Sequence, residues 1–89
     1  MQNTPKSGGG LTMHIFARIL GRNHHFAIRH PTIVGGCSHF AYGGCNFEIV
    51  DAWPHGWSYR DNCYIDFVGG GYYLFNLAHA GIRISVTVL

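Results

Sequence analysis

The chain has 89 residues, of which 47% are hydrophobic and only 11% are charged, and its formal net charge at pH 7 is +2. This length excludes a multidomain protein and lies near the lower limit for one self-sufficient core. No apolar run approaches the roughly 18 residues that cross a bilayer, so we expect no membrane span. A typical soluble domain carries about 25% charged residues, and so low a charge favours association between copies.

Residues 1–10 are predicted to be a flexible leader, because they are polar and end in three consecutive glycines. They do not resemble a signal peptide, so the compartment stays open. Residues 11–89 are predicted to form a single small β domain. The positive charges in the first part of the chain are too dispersed to indicate a nucleic-acid-binding tail.

Two β-strands are predicted in the first half of the chain. Residues 11–20 fit either a short helix or a strand, and a strand is favoured. Residues 24–30 place Phe26 and Ile28 on one face, and Pro31 ends this strand because proline cannot donate to a ladder. Two Gly-Gly-Cys triplets follow, and their glycines are expected to bend the chain at strand ends.

The second half shows a stronger pattern. Residues 82–88 alternate apolar and polar side chains without a break, as a strand with one buried face does. Glycines 69–71 predict a hairpin connection. The loops are too short for crossover helices, so the sheet should be antiparallel. We predict an all-β domain, an antiparallel meander or small barrel-like sheet of four to six strands. Its last four strands are expected in up-and-down order at residues 46–51, 63–68, 72–77 and 82–88.

The alternation also predicts the core. Apolar side chains of the last strand and of its neighbours should share one buried face, with one set of rings from Tyr72 to Phe75. The side chains expected in this core are Cys63, Ile65, Phe67, Ile82, Ile84, Val86 and Val88. Trp53 and Trp57 are expected to cover one end from their loop.

Three cysteines and seven histidines raise the possibility of a metal site. Cys37 and His39 would point to one face of a strand, and Cys45 and Cys63 would complete a set that suits zinc or copper. The histidines at positions 24, 25 and 30 form a separate candidate set. Against both sets, no CxxC or HxxxH spacing occurs, and cysteines are often small buried hydrophobes. No cofactor is required by any motif.

The sequence does not favour an enzyme. A reactive thiol needs a positive setting, and Cys63 instead lies near Asp61 and Asp66. A small meander also offers no deep pocket.

Aromatic residues point instead to binding. Tyr64 and Phe67 fall on opposite faces, as do Tyr72 and Tyr73, so both faces of the central hairpin carry rings. The neighbouring acidic residues repel phosphate and argue against nucleic acid. We therefore expect a non-enzymatic interaction module that associates with itself, as a homodimer or larger assembly, or with another protein, through sheet edges and aromatic surface. Soft-metal binding through cysteine and histidine is the alternative.

The stretch of residues 52–89 has a recognisable pattern of aromatic and turn residues. It reads Trp53-Pro54-x-x-Trp57-x-Tyr59, then Tyr64-Ile65-Asp66-x-Val68, Gly71-Tyr72-Tyr73-Leu74 and Gly81-x-Arg83-Ile84. This pattern resembles a loose group of small bacterial proteins, mostly uncharacterised, that end in an aromatic-rich β-meander. The shared residues are aromatic and turn residues and do not form a catalytic motif, so the resemblance implies a secreted or cell-envelope setting and little else.

Overall fold

A computed structural model describes residues 18–89 of the chain. These residues fold into one six-stranded sheet in which every neighbouring pair is antiparallel. The strands are β1 (Thr32–Val34), β2 (Cys37–Tyr42), β3 (Cys45–Ile49), β4 (Cys63–Val68), β5 (Gly71–Asn76) and β6 (Arg83–Val88). The all-β, antiparallel prediction is confirmed. The predicted leader and most of the first predicted strand lie outside the described residues.

Three two-residue glycine turns build the two halves of the sheet. Gly43 and Gly44, between β2 and β3, have φ angles of 62° and 81°. Two consecutive positive φ angles are what a type I′ hairpin turn requires. Glycines 35–36, between β1 and β2, and glycines 69–70, between β4 and β5, also have two consecutive positive φ angles. The predicted bends are thus tight hairpins, and each half of the sheet forms from local contacts.

The two halves join through a pairing that the predicted strand order lacks. The observed order is β1-β2-β3-β6-β5-β4, so β3 lies beside β6 and not beside β4. Phe47 pairs with Val88 and Ile49 pairs with Val86. The connection through residues 50–62 crosses from the middle of the sheet to its far edge, and its length makes this crossing possible. The up-and-down order predicted for the last four strands is therefore wrong for β3, which pairs with β6 and not with β4.

The segment at residues 24–30 is not a strand. Only Phe26 forms a bridge, in which its N–H donates to the Cys63 carbonyl at 2.8 Å and its carbonyl accepts from the Cys63 N–H at 2.7 Å. The Gly21 N–H donates to the Ile65 carbonyl at 2.8 Å. The chain then turns at Arg29, whose φ is 70°. This segment therefore covers the outer edge of β4, and the first strand of the sheet follows Pro31, where none was predicted.

The core lies on one face of the sheet, which we call the covered face. It consists of Phe40, Phe47, Ile49, Trp57, Cys63, Ile65, Leu74, Ile84 and Val86. Leu20, Phe26 and Ile28 from the first segment pack against it, as do Trp53 and Tyr59 from the crossing connection. The sequence alternation thus placed most strand residues on the correct face.

Two predicted core residues are instead exposed. Phe67 is 52% exposed, because it lies at the hairpin end of the edge strand β4. Ile82 is 49% exposed, because β6 begins only at Arg83. Within residues 18–89, no helix is long and apolar enough to cross a membrane.

Candidate functional site

The sheet has a second face, which we call the outer face and which the register defines. Because side chains directly opposite each other point the same way, His39, Glu48 and Thr87 share it across three strands. Its residues on β2, β3, β4, β5 and β6 include Cys37, His39, Glu48, Tyr64, Asp66, Tyr73, Phe75, Arg83 and Ser85. Polar groups lie towards β2, and rings lie towards β4 and β5.

Cys37 and His39, the first two predicted metal ligands, meet at one carboxylate on this face. The His39 Nε2 lies 3.4 Å from the Glu48 Oε1. A hydrogen bond to the Glu48 side chain, together with its charge, raises the pKa of the Cys37 thiol. The thiol therefore stays protonated to a higher pH than usual. This makes Cys37 a weaker nucleophile and a weaker metal ligand in this setting.

The other two predicted ligands lie on the covered face. Cys45 packs against the core, and Cys63 is only 1% exposed. The sheet therefore divides the set of four between its two sides. All three thiols are free.

The structure also leaves the second histidine set dispersed on the surface. His24, His25 and His30 are each exposed. Across the described residues, no three His, Cys, Asp or Glu side chains are grouped so that they can hold a metal ion.

Burial of the Cys63 thiol makes stability depend on pH. Burial raises its pKa from 9.0 to about 11, and the Asp61 charge adds to this rise. The folded state therefore holds the thiol proton more tightly than the unfolded state does. This contribution is complete below pH 9 and is lost as the pH rises towards about 11.

We expect the free energy of unfolding to fall between pH 9 and pH 11 more steeply in the native protein than in a Cys63→Ala variant. Urea denaturation across this range measures the two slopes. A Cys45→Ala variant is the matched control, since it removes a thiol and should keep the native slope. Parallel slopes in the native protein and in Cys63→Ala would contradict the assignment.

A polar network that the sequence did not signal supports the turn between β5 and β6. Asn76 is 3% exposed. Its Nδ2 donates to the Asp61 Oδ2 at 3.0 Å, and its Oδ1 accepts from the Ala78 N–H at 2.8 Å. The His79 Nε2 lies 3.9 Å from the same Asp61 oxygen. The hydrogen bonds from Asn76 and from the Ser58 N–H lower the pKa of Asp61, and His79 adds to this. Together with the backbone bonds from the Leu77 N–H to the Asn62 carbonyl and from the His79 N–H to the Asn76 carbonyl, the network holds the start of this turn, residues 77–79.

The rings of the outer face are arranged in contact. Tyr64 and Phe75 stack with a centroid separation of 4.8 Å and an interplanar angle of 5°. The Arg83 guanidinium carbon lies 4.2 Å from the centroid of the Tyr73 ring, which is a cation–π distance. This part of the face therefore combines flat apolar surface with positive charge.

The two edges of the sheet differ in how they are covered. Gly21 and Phe26 bond to the outer edge of β4. On the outer side of β1, none of residues 18–89 provides a pairing strand, and the side chains of Ile33 and Val34 are 63% and 52% exposed. β1 is therefore the open edge of the described sheet.

Comparisons of the chain with protein-family models, with curated proteins and with solved structures found no match.

Proposed function

We propose that the protein is a non-enzymatic interaction module that associates with itself through its open sheet edge, with exposed aromatic surface as a second contact. The observation that carries this proposal is the outer edge of β1. An unpaired strand edge is a template for another strand unless charge, proline or a covering segment prevents pairing.

The hairpin geometry identifies the backbone groups that this edge offers. Val34 and Cys37 flank the two-residue turn and are paired with each other, so their backbone groups point inward. The backbone N–H and C=O groups of successive residues point to opposite sides of a strand. Those of Ile33 therefore point outward, away from β2. Two antiparallel copies with Ile33 opposite Ile33 would exchange two hydrogen bonds about a two-fold axis, the commonest symmetry of protein dimers.

The side chains around this edge favour such a contact. No charged residue occurs from Pro31 through Ser38, so two copies meet without repulsion. The exposed Ile33 and Val34 side chains would become buried against the partner copy. This favours association, because removing apolar surface from water lowers the free energy. Two protecting features are present: β1 has only three residues, which limits the contact to one pair of hydrogen bonds, and Pro31 lies just before the strand.

Exposed aromatic surface lies at the other end of the sheet. Phe67 is 52% exposed and lies 4.9 Å, between centroids, from Tyr72 at the tip of the β4–β5 hairpin. A ring pair of this kind suits contact with a partner chain. It provides a second contact for larger assemblies.

We expect an Ile33→Lys variant to weaken dimerisation at least about tenfold, because the new charge must be desolvated twice in a symmetric contact. Sedimentation velocity over a concentration series measures this. The matched control is Leu89→Lys, which puts the same charge on a side chain that is 60% exposed and that follows β6, in the middle of the sheet.

Two outcomes would contradict the proposal. A native protein that sediments as a monomer at several hundred micromolar would contradict self-association. Equal weakening by both lysine variants would contradict the assignment to β1. Circular dichroism of each variant establishes that the sheet is still folded.

A further inference from the structure

We propose that a cavity over the Phe75 ring binds a small planar organic anion, with an aromatic carboxylate as the simplest member of the class. The site lies on the outer face beside β4, β5 and β6, so it is separate from the β1 edge and does not rest on the proposed self-association.

Two adjoining cavities share the Phe75 ring. One has a volume of about 230 Å³ and is lined by Arg22, Tyr64, Phe75 and the turn that contains His79. The other has a volume of about 290 Å³ and reaches Arg83. Phe75, Gly81 and Ile82 line both. Both are open to solvent, and each is smaller than the roughly 300–1,000 Å³ of a drug-sized pocket, so they would cover only part of a ligand with one or two rings.

The Phe75 ring can offer one flat apolar face to this space. Its other face is covered, because Tyr64 and Phe75 stack almost parallel at a centroid separation of 4.8 Å. Ile82, which is 49% exposed, adds apolar lining. Offset stacking on such rings favours a planar ligand over a branched one. The turn after β5 also lines this space, and Asn76 holds its start by accepting a hydrogen bond from the Ala78 N–H.

Arg22 lines the first cavity and Arg83 the second, and neither has an acidic partner among the described residues. All four acidic side chains of the sequence lie in the described part, and each contacts other groups. Glu48 contacts His39, and Asp61 contacts Asn76 and His79. Asp51 accepts a hydrogen bond from the Ser85 N–H, and Asp66 accepts one from the Phe67 N–H.

Among these described residues, no carboxylate lies within ion-pair distance of Arg22 or Arg83. A guanidinium fork matches a carboxylate in geometry, and the cation–π contact with Tyr73 holds Arg83 beside the cavity.

The charges nearby favour a small anion over a nucleic-acid strand. Asp66 lies directly opposite Tyr73 on the same face. A chain of phosphates crossing this face would meet the Asp66 carboxylate, whereas a single small anion beside Arg22 or Arg83 would not need to.

The test uses 1-naphthoate as the probe and 1-naphthalenemethanol as its neutral match. We expect naphthoate to shift the ring resonances of Tyr64 and Phe75 saturably in NMR titration, and to bind at least about tenfold more tightly than the alcohol. Arg22→Gln and Arg83→Gln should each weaken naphthoate binding about tenfold. Arg60→Gln, an arginine that lines neither cavity, should not.

Three results would overturn the proposal. They are equal binding of the two probes, unchanged naphthoate affinity in both cavity variants, and tighter binding of a ten-nucleotide oligothymidine than of naphthoate at the same rings. The last result would assign the face to single-stranded nucleic acid. Both arginines are at the surface, so the variants should keep the native spectrum, and this can be read from the same titration.

Discussion

A Phe47→Ala variant is expected to lose about 3–5 kcal/mol of unfolding free energy, a loss typical of truncating a fully buried ring. Phe47 is fully buried, stacks on Phe40 at a centroid distance of 5.3 Å, and pairs with Val88 where the two halves of the sheet meet. Truncation leaves a cavity at this junction that the surrounding strands cannot fill. Since a domain is stable by only about 5–15 kcal/mol, the variant should be close to unfolding.

The matched control for this substitution is Phe67→Ala. The same atoms are removed from a ring that is 52% exposed, so the expected cost is below about 1 kcal/mol. Urea denaturation of both variants measures the two losses of unfolding free energy. The comparison requires that the slope of this free energy against urea concentration stays the same in both. Similar losses at the two positions would contradict the observed assignment of Phe47 to the core and Phe67 to the surface.

A Gly43→Ala variant is expected to lose about 2–5 kcal/mol. Two costs add at this position: a left-handed conformation at a φ of 62°, about 1–2 kcal/mol, and overpacking, about 1–3 kcal/mol. A Cβ atom placed there would lie 2.7 Å from the Ile19 Cδ1 and 3.2 Å from its Cβ. The second distance involves the base of the side chain, so rotation of Ile19 cannot relieve the contact fully.

Gly69→Ala separates the two costs. Its φ is 57°, and no atom lies within 4 Å of the added Cβ. It should therefore lose only about 1–2 kcal/mol, from conformation alone. Equal losses in thermal or urea denaturation would show that Ile19 does not pack on the β2–β3 turn.

Local sequence pattern predicts most of the strands and the faces of their residues. Ile84 and Val86 are buried, as the alternation of the last strand requires. The strand order is not predictable in the same way, because the pairing of β3 with β6 depends on a crossing connection and on contacts distant in sequence. Phe67 has the correct periodicity for the core, but periodicity does not show that the end of β4 lies beyond the covering segments.

The candidate sites show the same division between local and distant information. That Cys37 and His39 share a face follows from their spacing, and the structure has them on one face. That Cys45 and Cys63 lie on the other face depends on the register, which the sequence does not show. Asn76 had no signal of its own, since a buried amide is recognisable only through the partners that hold it.

Hydrogen exchange at the Ile33 amide tests the proposed edge contact most directly. In a monomer this N–H points to solvent, while the amide of Val34 bonds to β2. If copies pair through β1, Ile33 should exchange quickly in dilute protein and become protected as the concentration rises, with Val34 protected throughout. An Ile33 amide that exchanges at the same fast rate at every concentration, in a sample that forms dimers, would contradict pairing at this edge.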